Sequence, residues 1–172
     1  MTRVRMNDDG GLVPPGMNAD GDYGTLRIGG GTDFDTASNP TNEVIDGTGV
    51  AAGLAFGCTL DATAGTITVN RTGVYELYLN LSEVSAASAS GVITANLQKN
   101  SAAFSPPITG KLLQPAVAAN FMDLNVRRIV SLVKNDVIRA VLTGTTGGVI
   151  KVEHGELGLV QLSDAELATH GE

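Results

Sequence analysis

The chain has 172 residues, of which 42% are hydrophobic and only 4% aromatic, and its formal net charge is −7 at pH 7. This length suits one domain, or one domain with an extended arm, and the 22 glycines without a periodic tract argue against a collagen-like fibre or a helical bundle. The eleven Lys and Arg residues are scattered, so we expect no basic face and no nucleic-acid partner.

Residues 1–46 differ in composition from the rest of the chain. They hold eight acidic residues against three basic ones, with three prolines and many Gly and Asn. Such a segment buries too little apolar surface to offset its ordering entropy, so we predict an extended arm that orders only against a partner or the body of the protein. Within it, residues 23–28 suit a short strand because Thr25, Leu26 and Ile28 fit a pleated surface.

Two acidic clusters in this arm are candidates for calcium sites. Residues 18–22 offer oxygen donors at alternate positions, but the twelfth residue counted from Asn18 is Gly29, where an EF-hand loop needs a bidentate Glu. Residues 29–35 resemble a glycine-aspartate calcium repeat that occurs only once, whereas such repeats bind by stacking. We interpret both as solvated loops and expect no metal or cofactor.

From Val50 onward the sequence predicts strands. Residues 74–84 alternate most regularly and place Leu77, Leu79 and Leu81 on one face. Residues 100–119 contain three prolines and are interpreted as a long connection, interrupted at most by a short strand over 108–113. A connection of this length favours a Greek-key sandwich, in which the chain crosses between two sheets, over a simple meander.

Residues 121–162 predict three further strands, with turns at 134–136 and 144–148. In the first of these strands Arg128 shares the phase of the apolar residues, so either a bulge turns it outward near Ile129 or its head reaches the sheet edge. The last strand is apolar on both faces, with Leu157 and Leu159 on one and Val160 and Leu162 on the other. Another subunit is the simplest cover for the second face.

The domain boundaries follow from these patterns. We predict an arm over residues 1–46, a sandwich over 47–162 and a short tail over 163–172. The tail opens with the capping-box pattern of Ser163 and Glu166, which predicts one helical turn.

No constellation of residues predicts catalysis. His154 and His170 are the only histidines, and neither has a partner at metal-ligand spacing. Cys58 lies among apolar residues, which is typical of a buried inert thiol. Without a catalytic constellation, we expect that the protein is not an enzyme. The N-terminus has no signal-like apolar stretch and no window approaches a membrane span, so we also expect no membrane partner.

Three segments in order carry a family resemblance: Gly73–Tyr78, with its Gly-x-Tyr start; Ile129–Ile138, with a turn in which Asn135 replaces the usual Gly; and the aliphatic run Glu156–Leu162. Together they are similar to the tumour-necrosis-factor-like jelly roll, a superfamily that includes the complement globular heads and many bacterial and viral surface proteins. The resemblance implies an all-β, antiparallel, two-sheet jelly-roll sandwich. It also implies a homotrimer whose axis is lined by the outer faces of the inner-sheet strands.

Carried over position by position, Tyr78, Asn125 and Glu156 match axial positions of that trimer. Arg127 shares a face with Asn125, and we hypothesise that it pairs with Glu156 of a neighbouring copy. Val160 completes the predicted trimer interface.

The functional expectation is a trimeric structural protein that decorates or projects from a bacteriophage capsid. We expect assembly in the host cytoplasm, a place on the virion surface, and attachment to the major capsid protein or another virion protein through Tyr23, Leu26 and Ile28 of the arm. The alternative is a receptor- or glycan-binding head of a phage fibre that uses loops 85–90 and 100–119. Those loops hold one aromatic residue, Phe104, whereas binding hot spots favour Tyr and Trp.

Overall fold

The computed structural model describes residues 21–35, 43–47, 49–86, 91–114, 122–144 and 149–164, and this part of the chain is built of strands. No helix in the described part is long and apolar enough to cross a membrane. The strands are β1 Tyr23–Asp35, β2 Glu43–Val44, β3 Val50–Phe56, β4 Cys58–Asp61, β5 Thr66–Val69, β6 Gly73–Ala86, β7 Gly91–Lys99, β8 Ala102–Gln114, β9 Met122–Leu132, β10 Val137–Gly144 and β11 Val149–Ser163.

The strands form two sheets that pack face to face. One has five strands in the order β3-β1-β11-β6-β9, and the other has the order β4-β5-β10-β7-β8, with β2 paired to β10. All pairs are antiparallel. The chain changes sheet after every strand from β1 to β10 except β4 and β7, which are followed by a strand of the same sheet. The predicted two-sheet antiparallel jelly-roll sandwich is confirmed.

The core lies between the sheets and follows the alternation of the strands. Leu77, Leu79 and Leu81 of β6 are fully buried, as the period-two pattern predicts. Ile67 and Ile138 cover them from the other sheet. A one-residue slip of β6 would expose the leucine row, so the core itself specifies the register.

The structure corrects the predicted arm. Residues 23–28 are a strand, as expected, but β1 lies inside the five-stranded sheet, between β3 and β11. Leu26 lies opposite Leu157 and is 1% exposed, and Ile28 is 4% exposed. The apolar alternation of β1 buries enough surface against β11 to join the domain, so the boundary at residue 46 is wrong for residues 23–35. Residues 1–20 lie outside the described part.

The predicted long connection is also corrected, because β8 forms a strand over much of it. Its pairing with β7 shifts register between Leu97 and Gln98, which leaves residues 104–107 as an irregularity on an edge strand. Pro106 and Pro107 fall within it, at a position where a missing N–H donor breaks no ladder bond. Phe104 is half-buried and packs against the core, so it is no exposed anchor.

The turn between β9 and β10 matches its prediction. Asn135 adopts a left-handed backbone with φ of 73° and so takes the place of the usual Gly. Asp136 is buried and accepts hydrogen bonds from the Val133 amide and the Asn100 side chain.

Arg128 is exposed, and β9 pairs with β6 in unbroken register on both sides of this residue. The Arg128 guanidinium therefore reaches the sheet edge, and no bulge is needed. The predicted turn residues 145–148 and helical turn beyond residue 164 lie outside the described residues.

Candidate functional site

The outer face of the five-stranded sheet gathers all five residues predicted for the trimer interface. Leu77, Leu79 and Leu81 point into the core, so the alternate residues of β6 point outward. The cross-strand register then places the partners of those residues on the same face of β1, β9 and β11. The five are Tyr78, Asn125, Arg127, Glu156 and Val160.

One row of this face is largely apolar. It crosses the sheet from edge to edge in the order Phe56, Tyr23, Val160, Glu76, Ile129. The rings of Tyr23 and Phe56 stack with their centroids 6.3 Å apart. Phe56 is 49% exposed and Ile129 is 60% exposed. Large apolar side chains aligned in one exposed row are typical of an interaction surface. We call this row the apolar row.

The next row is organised by an aromatic ring. It runs through Thr25, Gly158, Tyr78 and Arg127. A Cβ added to Gly158 would clash with Cζ, Oη and Cε1 of Tyr78, so the hydroxyl end of the ring packs directly over the glycine. The Tyr78 hydroxyl donates to Glu156 Oε1 at 2.6 Å. Burial, and next the bond to the Glu156 carboxylate, raise the pKa of Tyr78, so the phenol keeps its proton and remains a donor.

The third row is polar, and runs through Ala51, Arg27, Glu156, Asn80 and Asn125. The face therefore changes from apolar at one end to polar at the other. Within the chain Arg127 Nε lies 2.8 Å from Glu76 Oε1, and Glu156 accepts from Tyr78. The hypothesised bond between Arg127 and Glu156 of a neighbouring copy stays a prediction. It would form beside the bonds to Glu76 and Tyr78 or replace them.

Sequence reasoning missed Phe56, Ile129 and Arg27 as members of this face. Phe56 stands in a run of small and apolar residues without alternation, so its direction had no sequence signal. Ile129 does fall in the outward phase of β9, which was the signal that could have identified it. Tyr23 was predicted to attach the arm, but the structure places it in the apolar row, and Leu26 and Ile28 are buried in the core.

A second cluster lies where β1 begins. Asp22 is fully buried. Its backbone N–H donates to Gln161 Oε1 at 3.0 Å, and its backbone carbonyl accepts from the backbone N–H of Gln161 at 2.7 Å. Its Oδ1 accepts no hydrogen bond from the described residues and lies 3.6 Å from Arg71 Nε. Burial raises the pKa of Asp22, against the opposing effect of Arg71.

The Tyr75 hydroxyl opposes this rise, because a hydrogen bond to the Asp22 carboxylate favours the charged form. It donates to the Arg71 carbonyl at 2.9 Å, and its oxygen lies 3.4 Å from Asp22 Oδ2. A phenol has one proton to donate, so this proton is shared between the Arg71 carbonyl and the Asp22 carboxylate, and the bond to Arg71 is the shorter. The cluster does not activate the neighbouring Cys58 as a nucleophile: burial, and then the Asp22 charge, raise the pKa of the Cys58 thiol to about 12.

No group of three or more His, Cys, Asp or Glu side chains among the described residues is placed to hold a metal ion. His154 is exposed on β11, and its cross-strand partners Gly29 and Ser82 are not metal ligands. The two acidic clusters interpreted above as solvated loops fall mainly on residues whose side chains lie outside the described part.

Comparison with known proteins gives the fold. No protein-family model matches the sequence, and no curated protein matches it. The solved structures that resemble it include Eiger TNF from S. frugiperda, with a TM-score of 0.53 at 13% identity over 88% of this chain and 98% of that one. The globular domain of zebrafish complement 1qA has a TM-score of 0.54 at 11% identity, over 80% of this chain and 94% of that one.

Murine APRIL has a TM-score of 0.51 at 14% identity, over 81% of this chain and 98% of its own. Identities this low establish architecture alone. The strand order and these likenesses agree on one conclusion: the chain has the tumour-necrosis-factor-like and complement-globular-domain jelly-roll fold.

Proposed function

We propose that this chain is a structural protein that assembles as a homotrimer, with the outer face of the five-stranded sheet turned toward the threefold axis. The observation that carries the proposal is the apolar row, where Phe56, Tyr23, Val160 and Ile129 cross the face without a described residue covering them. The trimer is the assembly that the family resemblance implies. Tyr78 and Arg127 beside the row are residue types that dominate interface energetics.

The polar end of the face supports a specific interface with one defined geometry rather than a nonspecific apolar contact. Glu156 and Tyr78 hold one another in a fixed geometry, and Arg127 is held by Glu76. Prearranged polar side chains lose little rotamer entropy on association, which favours a single register between copies.

A matched pair of substitutions tests this assignment. Val160→Lys places a charge in the apolar row, where the cross-strand neighbour Glu76 can pair with it and preserve the folded chain. Leu113→Lys makes a comparable change on β8 of the other sheet, at a side chain that is 72% exposed. We expect native mass spectrometry to show three chains for the wild type and for Leu113→Lys, and single chains for Val160→Lys.

A wild-type protein that measures as a single chain at micromolar concentration would end the trimer proposal. A Val160→Lys variant that stays as trimeric as the wild type would remove this face from the interface. Circular dichroism of each variant separates dissociation from unfolding.

The larger assembly that we propose is a phage virion, with the trimer as a decoration or projecting protein on the capsid surface. Leu26 and Ile28 belong to the core and Tyr23 to the apolar row, so we assign attachment to residues 1–20. Their acids and prolines suit a segment that orders on binding, and three copies per trimer would add avidity.

Deletion of residues 1–20 tests this part. We expect the shortened chain to remain trimeric and to lose co-sedimentation with capsids of the encoding phage that lack the protein. Full capsid binding by the shortened chain would contradict the attachment role without touching the trimer.

A further inference from the structure

The outer face of the other sheet, which contains β4, β5, β10, β7 and β8, is dominated by hydroxyl and amide side chains. Ala140 and Leu142 of β10 are buried in the core, so Arg139 points outward between them and Ile138. The cross-strand register identifies the side chains that share this outward phase on the neighbouring strands. They include Thr66, Thr68, Thr94, Asn96 and Thr109.

One row of this face holds an arginine in a fixed position. The row runs through Asp61, Thr66, Arg139 and Gln98, and we call it the Arg139 row. Gln98 is 9% exposed, and its Oε1 accepts a hydrogen bond from Arg139 Nε at 2.9 Å. This bond uses one of the five N–H donors of the guanidinium group. The two terminal nitrogens of Arg139 have no hydrogen-bond or ion-pair partner among the described residues.

The fork that these two nitrogens form suits a planar oxyanion, because a guanidinium group binds a carboxylate through two parallel hydrogen bonds. The acid in the same row does not occupy it. Asp61 lies two strands away from Arg139, with Thr66 between them, and Asp61 Oδ1 accepts from the Ala64 amide. An arginine that is held at Nε and keeps its fork unpaired is therefore arranged to receive a carboxylate from another molecule.

The surroundings of Arg139 indicate which molecule carries that carboxylate. The described part of this face presents one other outward cation, Lys111 of β8, which lies opposite Thr94. An acidic peptide carries many charges close together and needs several cations within reach. An acidic sugar unit carries one carboxylate among several hydroxyls, and those hydroxyls exchange hydrogen bonds with the Thr and Asn side chains that flank Arg139.

We propose that the Arg139 row binds a carboxylate-bearing saccharide. The carboxylate lies on the terminal nitrogens of Arg139, and the sugar hydroxyls contact Thr66 and Asn96 on the two adjacent strands. Hexuronic acids and sialic acids share this chemistry. The site goes beyond the proposed structural function and does not depend on the homotrimer, because it lies on the opposite sheet from the apolar row.

Isothermal titration calorimetry of the full chain tests the proposal with four probes: a hexuronate trisaccharide, a sialylated trisaccharide, a neutral trisaccharide and a hexaglutamate peptide. We expect binding of a carboxylate-bearing saccharide but not of the neutral saccharide or the peptide, and the saccharide that binds identifies the source of the carboxylate. Arg139→Gln should weaken binding at least about tenfold, because it removes charge-assisted hydrogen bonds. Arg139→Lys should also weaken it, since the charge remains without the fork.

Lys111→Gln is the matched control, because it removes the same charge from the same face, and its affinity should stay within about twofold of wild type. Equal losses from Lys111→Gln and Arg139→Gln would mean that net charge rather than the fork binds the ligand, and would overturn the proposal. No binding of either acidic saccharide at millimolar concentration, equal binding of the neutral one, or tighter binding of the peptide would overturn it too. Circular dichroism checks that each variant is folded, and Arg139→Lys alone decides the outcome if Arg139→Gln is not.

Discussion

The Tyr78 hydroxyl reaches diagonally across strand β11 to Glu156, with a donor–acceptor distance of 2.6 Å. Tyr78 lies directly opposite Gly158 in the register, so the ring covers the glycine and the hydroxyl meets the carboxylate two residues earlier. A hydrogen bond to a carboxylate at this distance is of the strong, charge-assisted kind. The relationship makes the centre of the outer face a fixed surface between the apolar and polar rows.

Gly158→Ala is expected to displace Tyr78. The new methyl would occupy the position of the ring, and the half-buried Tyr78 side chain would rotate away and lose its bond to Glu156. We expect the free energy of unfolding in urea to fall by about 1.5–3 kcal/mol, the usual worth of a hydrogen bond to a charged group. Gly29→Ala is the control, because no atom lies within 4 Å of its added Cβ, and its effect should stay within about 0.5 kcal/mol. Equal effects from the two variants would contradict this account of the ring.

Asp22 is expected to make stability depend on pH. Burial raises its pKa in the folded chain above the ordinary value of 3.8, so the folded state binds the proton more tightly than the unfolded state. This contribution is fully present below pH 3.8 and is lost as pH rises through the folded pKa. Asp22→Asn keeps the shape without the ionisation, so its stability relative to wild type should increase from pH 4 toward neutral pH, in urea unfolding curves measured at each pH. A difference that is constant over that range would show that Asp22 does not titrate in this way.

The Cys58 thiol is expected to react slowly in the folded protein. Burial, and then the nearby Asp22 charge, raise its pKa to about 12, so little thiolate is present at pH 8. A disulfide reagent such as dithionitrobenzoate should label the native chain far more slowly than the chain unfolded in urea, as followed by absorbance. Comparable rates in the two states would mean that the thiol is neither buried nor electrostatically suppressed.

The sequence by itself determined the all-β class, the leucine row of β6 and the outward phase of Tyr78, Asn125 and Glu156. It could do so because side chains alternate with a period of two along a strand, and this local rule needs no knowledge of which strand lies alongside. The Asn135 turn was predictable for the same reason, since its left-handed backbone is a property of a few adjacent residues.

Only the tertiary structure decided which strands are neighbours. Strand β1 reads as part of an acidic arm until β3 and β11 pair on either side of it and bury Leu26. Phe56 and Ile129 are 73 residues apart in the chain, and nothing local connects them; the register of four strand pairs makes them the ends of one row. Long-range pairing is selected by the burial of the whole core, and no short window of sequence contains that information.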